Sequence, residues 1–160
     1  MEKEFLDMVR DIGKTPTSRL VDAKESPGKQ WIAEKLEIPE GTPVLSVERL
    51  IFADGMPVIY DVDYMDVTML EGQPYTNEDL EPPIFHFIEK FCKRDVFMDI
   101  SEVHAVGATR KIAKLLDIAI AEPLLFTRGV GYDFYGKPIL ASEEYYVEGV
   151  FDHTVLRKKI

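Results

Sequence analysis

Ala33-Glu-Lys-Leu36-Glu-Ile38, four residues, then Pro43-Val-Leu45 returns eighty positions later as Ala113-Lys-Leu-Leu116-Asp-Ile118, four residues, then Pro123-Leu-Leu125. Each copy runs through an apolar stretch into a glycine turn, Asp54-Gly55-x-Pro57 or Tyr135-Gly136-x-Pro138. Each then reaches a tyrosine, Tyr64 or Tyr145, nine residues past the glycine. Two copies are too few for a solenoid, which needs about three repeats to bury its faces. The repetition therefore predicts one compact domain over residues 1–160 built from two related halves, with any cleft between or within them.

Working outward, each copy reads as a helix followed by a β-hairpin. Ile32, Ala33 and Leu36 in the first helix, and Ile112, Ala113, Leu115 and Leu116 in the second, recur at the spacing that puts side chains on one helical face. The strands Val44–Phe52 and Val58–Tyr64 flank Ala53-Asp54-Gly55, where glycine accepts a positive φ at little cost. Leu124–Asp133 and Pro138–Val147 flank Tyr135-Gly136 in the same manner. Residues 1–25 form a lead-in of one helix, carrying Phe5, Met8, Val9 and Ile12 with Gly13 as its stop, and a short strand over Thr17–Ala23. Ser26-Pro27 reads as the start of the first repeat helix, a capping side chain followed by proline. Between the halves lie a polar loop over Glu71–Glu81, a helix with Ile84, Phe87, Ile88 and Phe91, and an alternating strand over Phe97–Ala105. Hairpins dominate, so the fold class is α+β, a mostly antiparallel sheet with flanking helices.

Composition bounds the function. The 160 residues are 46% hydrophobic, enough for a core. No apolar run reaches the roughly 20 residues that span a membrane, which predicts no membrane partner and a cytoplasmic location. Cys92 is the only cysteine, so no internal disulfide can form. The formal charge is −10, and the one cationic cluster is Arg157-Lys158-Lys159, so this chain is not expected to grip nucleic acid by itself. His86, His104 and His153 show no metal-ligand spacing, and no phosphate-loop or nucleophile motif occurs, so no metal and no cofactor are predicted. Gly129 and Gly131 within a strand mark a bulge or a close backbone approach. Glu143 and Glu144 resemble a catalytic dyad, yet adjacent strand residues point to opposite faces.

What remains is one side of the two hairpins. Arg49 and Ile51 share a face, and so do Leu140, Ser142, Glu144 and Tyr146. An arginine on an apolar strand must find an anion or reach water. Arg49 therefore either pairs with Asp61 or Asp63 on the neighbouring strand or anchors an anionic ligand in a cavity. His104, in the alternating strand, is either a hydrogen-bonded, partly buried residue or a further ligand contact.

These residues carry a family resemblance. Gly41-Thr-Pro-Val44, Arg49-Leu50, Ala53-Asp-Gly55-x-Pro57 and Tyr64, followed by Glu122-Pro-Leu-Leu125, Arg128, Gly136-x-Pro138-Ile139 and Tyr145-Tyr146, resemble the UTRA domain. So does the approach from Phe5 through Arg10, Gly13, Pro16 and Ser18-Arg19 to Leu20. That domain is the effector-sensing half of HutC-subfamily regulators of the GntR type, and its fold is shared with chorismate lyase. The resemblance implies an antiparallel sheet with flanking helices, a small-molecule pocket, a homodimer, and DNA binding through an upstream winged helix-turn-helix absent from this chain. The chain is then either a fragment of a longer regulator or a free-standing sensor.

The strand faces and the resemblance together give the candidate ligand-binding positions Arg49, Ile51, Phe85, His104, Leu140, Ser142, Glu144 and Tyr146. Where sugar-phosphate-sensing relatives carry a second arginine, this chain has Ile51. Pro83-Ile84-Phe85 stands where they place Ser-x-Tyr, Leu140 where they place a glutamate, and Val147 where they place an arginine. A phosphate needs several charge-assisted donors, so the effector is expected to be less charged and more apolar than a sugar phosphate, with a monocarboxylate on Arg49 as one form. Two competing readings are a lyase acting on chorismate, using Arg49, Arg110, Arg128 and Glu144, and an interaction module without a ligand.

Overall fold

The computed structural model describes residues 4–160. In chain order the elements are α1 (Phe5–Asp11), β1 (Pro16–Pro27), α2 (Gln30–Leu36), β2 (Pro43–Ala53), β3 (Met56–Asp66), α3 (Ile84–Phe87), β4 (Met98–Gly107), α4 (Arg110–Leu116), β5 (Pro123–Tyr132) and β6 (Pro138–Val147). The α3 helix continues as a wider π turn over Ile88–Cys92, and short 3-10 turns occupy Val67–Leu70 and Asn77–Leu80. The second of these turns lies in the stretch expected to be loop.

One six-stranded sheet has the order β1-β2-β3-β6-β5-β4, with every neighbouring pair antiparallel. The repeat is larger than the sequence motif. Each half is an edge strand, a helix and a hairpin, β1-α2-β2-β3 or β4-α4-β5-β6, and the halves meet where β3 pairs β6. Both repeat helices end on a residue held in the left-handed region, Glu37 and Asp117, each at φ 53°. The first hairpin turns at Asp54 (φ 49°) and Gly55 (φ 80°), the two positive angles that a two-residue turn requires.

Two layers of apolar side chains bury the sheet. On one face α2 lays Ile32 and Leu36 against Val44 and Ala141, and α4 lays Ile112, Ala113 and Leu116 against Leu50, Tyr60, Val62 and Leu124. On the other, α1, α3 and the π turn cover Leu45, Val47, Ile51, Ile59 and Leu140 with Val9, Ile84, Phe87 and Ile88.

The first repeat helix does not begin at Ser26-Pro27. These residues end β1, where they pair with Val44 and Pro43, and the helix starts at Gln30 after Lys29. The edge strand β1 keeps pairing with the long β2 and so overrides the local capping signal. A bulge between Leu20 and Asp22 lets it follow the twist of β2.

Candidate functional site

Antiparallel register decides which side chains meet. Arg49 lies opposite Asp61, Asp61 opposite Glu144, and Asp63 opposite Ser142. All of these, with Ile51, Leu140 and Tyr146, line one cavity of about 90 Å³ on the α1/α3 face, room for several waters or one small organic group. Its cover comes from Glu4, Phe5, Leu6 and Met8 of the α1 segment, from Pro83, Ile84 and Phe85, and from Val96, while Ser18, Asp99 and Gly131 complete the wall. The cavity therefore sits on the junction of the two halves. By the repeat, Arg49 and Ile51 correspond to Gly129 and Gly131, where Ser101 and Val96 take the space that side chains fill in the first half. A Cβ at Gly129 would stand 2.4 Å from the Ser101 hydroxyl, and one at Gly131 would stand 3.0 Å from Val96, which is the close approach that glycine permits.

Seven of the eight sequence candidates converge here: Arg49, Ile51, Phe85, Leu140, Ser142, Glu144 and Tyr146. His104 does not. It pairs with Phe126, which pairs with Tyr145, so it lies on the opposite face of the sheet, its side chain 55% exposed and its ring 6.2 Å from that of Phe126. The same parity separates Glu143 from Glu144, and Glu143 takes hydrogen bonds from Arg128 (2.8 Å) and Tyr64 (3.2 Å) on the far face.

The electrostatics are unusual for an interior. Arg49, Asp61 and Asp63 are only 3%, 1% and 4% exposed. Arg49 donates one hydrogen bond, from Nη1 to the Glu81 carbonyl at 3.0 Å, and its Nε and Nη2 have no partner. It makes no ion pair with either aspartate, although both charges favour its protonated form while burial opposes it. A guanidinium stays charged in proteins. Neither oxygen of Asp61 accepts a hydrogen bond of ordinary geometry. Burial drives the Asp61 carboxyl well above the usual range, and the adjoining Asp63 adds to the rise. Asp63 is raised by burial and accepts from Ser142 Oγ at 2.8 Å. Burial lifts Glu144 to about 6, against hydroxyl donors from Tyr146 and from Thr127 at 3.0 Å. At the rim, burial raises Asp99 as well.

Sequence reading weighed Asp61 and Asp63 only as partners for Arg49. The signal that marks them as site residues was present: two aspartates at an alternating spacing inside an otherwise apolar strand cannot both be neutralised by one arginine.

The UTRA domain profile matches residues 11–151. The chain belongs to the UTRA domain family. The Escherichia coli (strain K12) protein named "Probable fructoselysine utilization operon transcriptional repressor" is 25% identical over 139 residues, which are 87% of this chain and 56% of that protein. The chain thus spans a little over half the length of the curated relatives it matches. Among solved structures it is similar to PhnF from Mycobacterium smegmatis, with a TM-score of 0.87 at 19% identity over 99% of this chain and 70% of that one. It is also similar to a GntR-family transcriptional regulator from Enterococcus faecalis V583, with a TM-score of 0.78 at 22% identity over 88% and 100% of the respective chains. These likenesses show the α+β fold, and family membership makes the chain an effector-sensing domain of the GntR regulator type.

Proposed function

We propose that this domain senses a small molecule in the cavity at the β3–β6 junction and thereby alters DNA binding by a winged helix-turn-helix elsewhere in the same regulator. The observation that carries this reading is a partly open chamber with unpartnered polar groups, covered in part by α1. Buried unpaired charges cost several kcal/mol each, and a domain that keeps them has a use for them when the chamber is filled. Because α1 supplies Phe5, Leu6 and Met8 to the lining, an occupant touches a helix as well as the sheet. The effector binds one arrangement of the regulator better than the other, and that difference is all that can shift the equilibrium.

A homodimer fits the exposed edge. Strand β4 presents Ile100 and Val103, 61% and 62% exposed, on a ten-residue strand with one unpaired side. The lyase reading is weaker. Arg49 is the one cation among the described lining residues. Arg128 lies over the Trp31 ring, 4.3 Å from its centre, on the far face, and Arg110 opens α4. A dicarboxylate substrate has nothing else to hold it, so incubation with chorismate should release no 4-hydroxybenzoate. The carboxyl groups also disfavour a phosphate dianion, in keeping with an effector less charged than a sugar phosphate. No described helix is long and apolar enough to cross a membrane, and work on DNA places the regulator in the cytoplasm.

The test is operator binding by the complete regulator, followed by fluorescence anisotropy with and without a ligand that occupies this domain. A change of tenfold or more in DNA affinity is expected. Unchanged affinity at saturating ligand defeats the sensor reading.

A further inference from the structure

Among the described lining residues are one cation and five acids: Arg49 against Asp61, Asp63, Glu144, the rim residue Asp99 and, on the cover, Glu4. Two of these side chains, Arg49 and Asp61, are more than nine-tenths buried and carry atoms with no hydrogen-bond partner. Their complementary demands define an occupant. The free Nε and Nη2 of Arg49 ask for an acceptor. The unpartnered oxygens of Asp61, next to Asp63 on one strand and opposite Glu144 on another, ask for a donor that brings positive charge. Asp61 and Glu144 face each other directly across the β3–β6 pair, on the line where the two halves meet.

We infer that the effector is a small ammonium compound, its cationic nitrogen held by Asp61, Asp63 and Glu144 and its acceptor group, a carboxylate or hydroxyl a few bonds away, held by Arg49. This rests on the sensor reading above and names the ligand class that it leaves open. It revises the expectation of an apolar monocarboxylate, which would satisfy Arg49 but would leave Asp61 bare and add negative charge to an acidic chamber. A divalent cation is the other way to satisfy carboxylates. Among the described residues, however, no three His, Cys, Asp or Glu groups converge as metal ligands, and Arg49 would stand beside the metal. An ammonium, unlike a metal, is satisfied by carboxylates and hydroxyls spread around it, and Ser142, Thr127 and Tyr146 supply hydroxyls beside the acids.

The ligand's charge would fall among carboxyl groups whose ionisation burial opposes, so binding is coupled to pH. The groups that face the acids are Arg49 from β2, Tyr146 from β6, Asp99 from β4 and Glu4 from the α1 segment. Beyond them, His86 stands 3.6 Å from Glu4, and the His153 ring stands 4.7 Å from that of Tyr146. A cation favours the ionised carboxylates, so its affinity rises as pH climbs through about 6, where Glu144 ionises. A phosphate would require proton uptake, and its affinity would fall.

Matched pairs on one skeleton test this by calorimetry: glucosamine against N-acetylglucosamine, 4-aminobutyrate against 4-acetamidobutyrate, and glucosamine against glucosamine 6-phosphate, with fructoselysine as a further ammonium compound. The expected result is that an ammonium member binds at least tenfold tighter than its neutral partner, releases protons, and loses tenfold or more in both Asp61→Asn and Asp63→Asn. Because either variant stays folded if its melting temperature holds, lost binding in a folded variant is interpretable. Tighter binding by a neutral or phosphorylated member overturns the inference, as does proton uptake, indifference to both substitutions, or no binding by any ammonium member. Each of those results leaves the sensor reading to the operator-binding experiment, which decides it separately.

Discussion

At the scale of single residues, the buried acids set the pH behaviour of the ligand-free domain. Glu144 holds its proton to about 6, against an ordinary 4.5. A raised folded-state value means that the folded chain binds protons more tightly than the unfolded chain. This contribution is complete below about 4.5 and is lost as pH climbs to 6, with Asp61 and Asp63 extending the loss upward. The melting temperature should therefore fall between pH 5 and 7, and Glu144→Gln should flatten the lower part of that slope; an unchanged slope removes Glu144 from the account. Asp61→Asn should raise stability at pH 7 by on the order of 1 kcal/mol, read by urea midpoints, because a neutral isostere avoids ionisation in the interior. The site was legible in the sequence as far as period-2 alternation reaches, which places Arg49 with Ile51 and Leu140 with Tyr146. His104 escaped because its face depends on the β4–β5 register, and no local pattern reveals pairing between strands separated by a helix.

At the scale of elements, repeat and turn chemistry carried the fold, since Asp54-Gly55 fixes one hairpin and the same spacing finds its twin. The start of α2 was misread because a capping signal is local, whereas β1 continues through Ser26-Pro27 by pairing along β2. The consequence is an uncapped helix. Thr109 caps α4 through the Ile112 amide at 3.4 Å, while Lys29 offers α2 no acceptor. Lys29 already has the extended backbone of a cap residue, at φ −61° and ψ 156°. Lys29→Asp should therefore stabilise the domain by about 0.5–1 kcal/mol through a capping bond and the helix dipole, seen as a raised urea midpoint without a changed slope. The β4 edge makes a second prediction at this scale. Val103→Lys replaces an exposed apolar side chain on the open β4 edge by a charge, so a dimer built on that edge should dissociate to monomer in light scattering while the circular dichroism spectrum is kept. A dimer that survives the lysine uses another surface.

At the scale of the whole molecule, the cavity and the two sheet faces make different demands on the chain. The α2/α4 face carries a separate hollow of about 400 Å³ between the two helices, lined by Glu48, Tyr60, Tyr64, Lys111, Glu143 and Tyr145. The α1/α3 face has a hollow in which α1 rests with one fully buried residue, Val9, and with Phe5, Leu6 and Met8 against the chamber. A helix of seven residues is marginal on its own, so its order depends on what lies beneath it. Filling the chamber adds contacts to α1 and almost none to α4, and stabilisation by a ligand concentrates where the contacts are made. Hydrogen exchange at saturating ligand should therefore slow at least tenfold at the amides of Val9–Asp11 and of the β3–β6 junction, and stay unchanged in Ile112–Leu116. Uniform slowing across both faces would mean that the ligand stabilises the domain only globally. Protection confined to α4 would put the effector on the other side of the sheet. Slowing at α1 alone gives the sensor a part that moves between two states, and it is through such a part that the chamber can reach a DNA-binding segment.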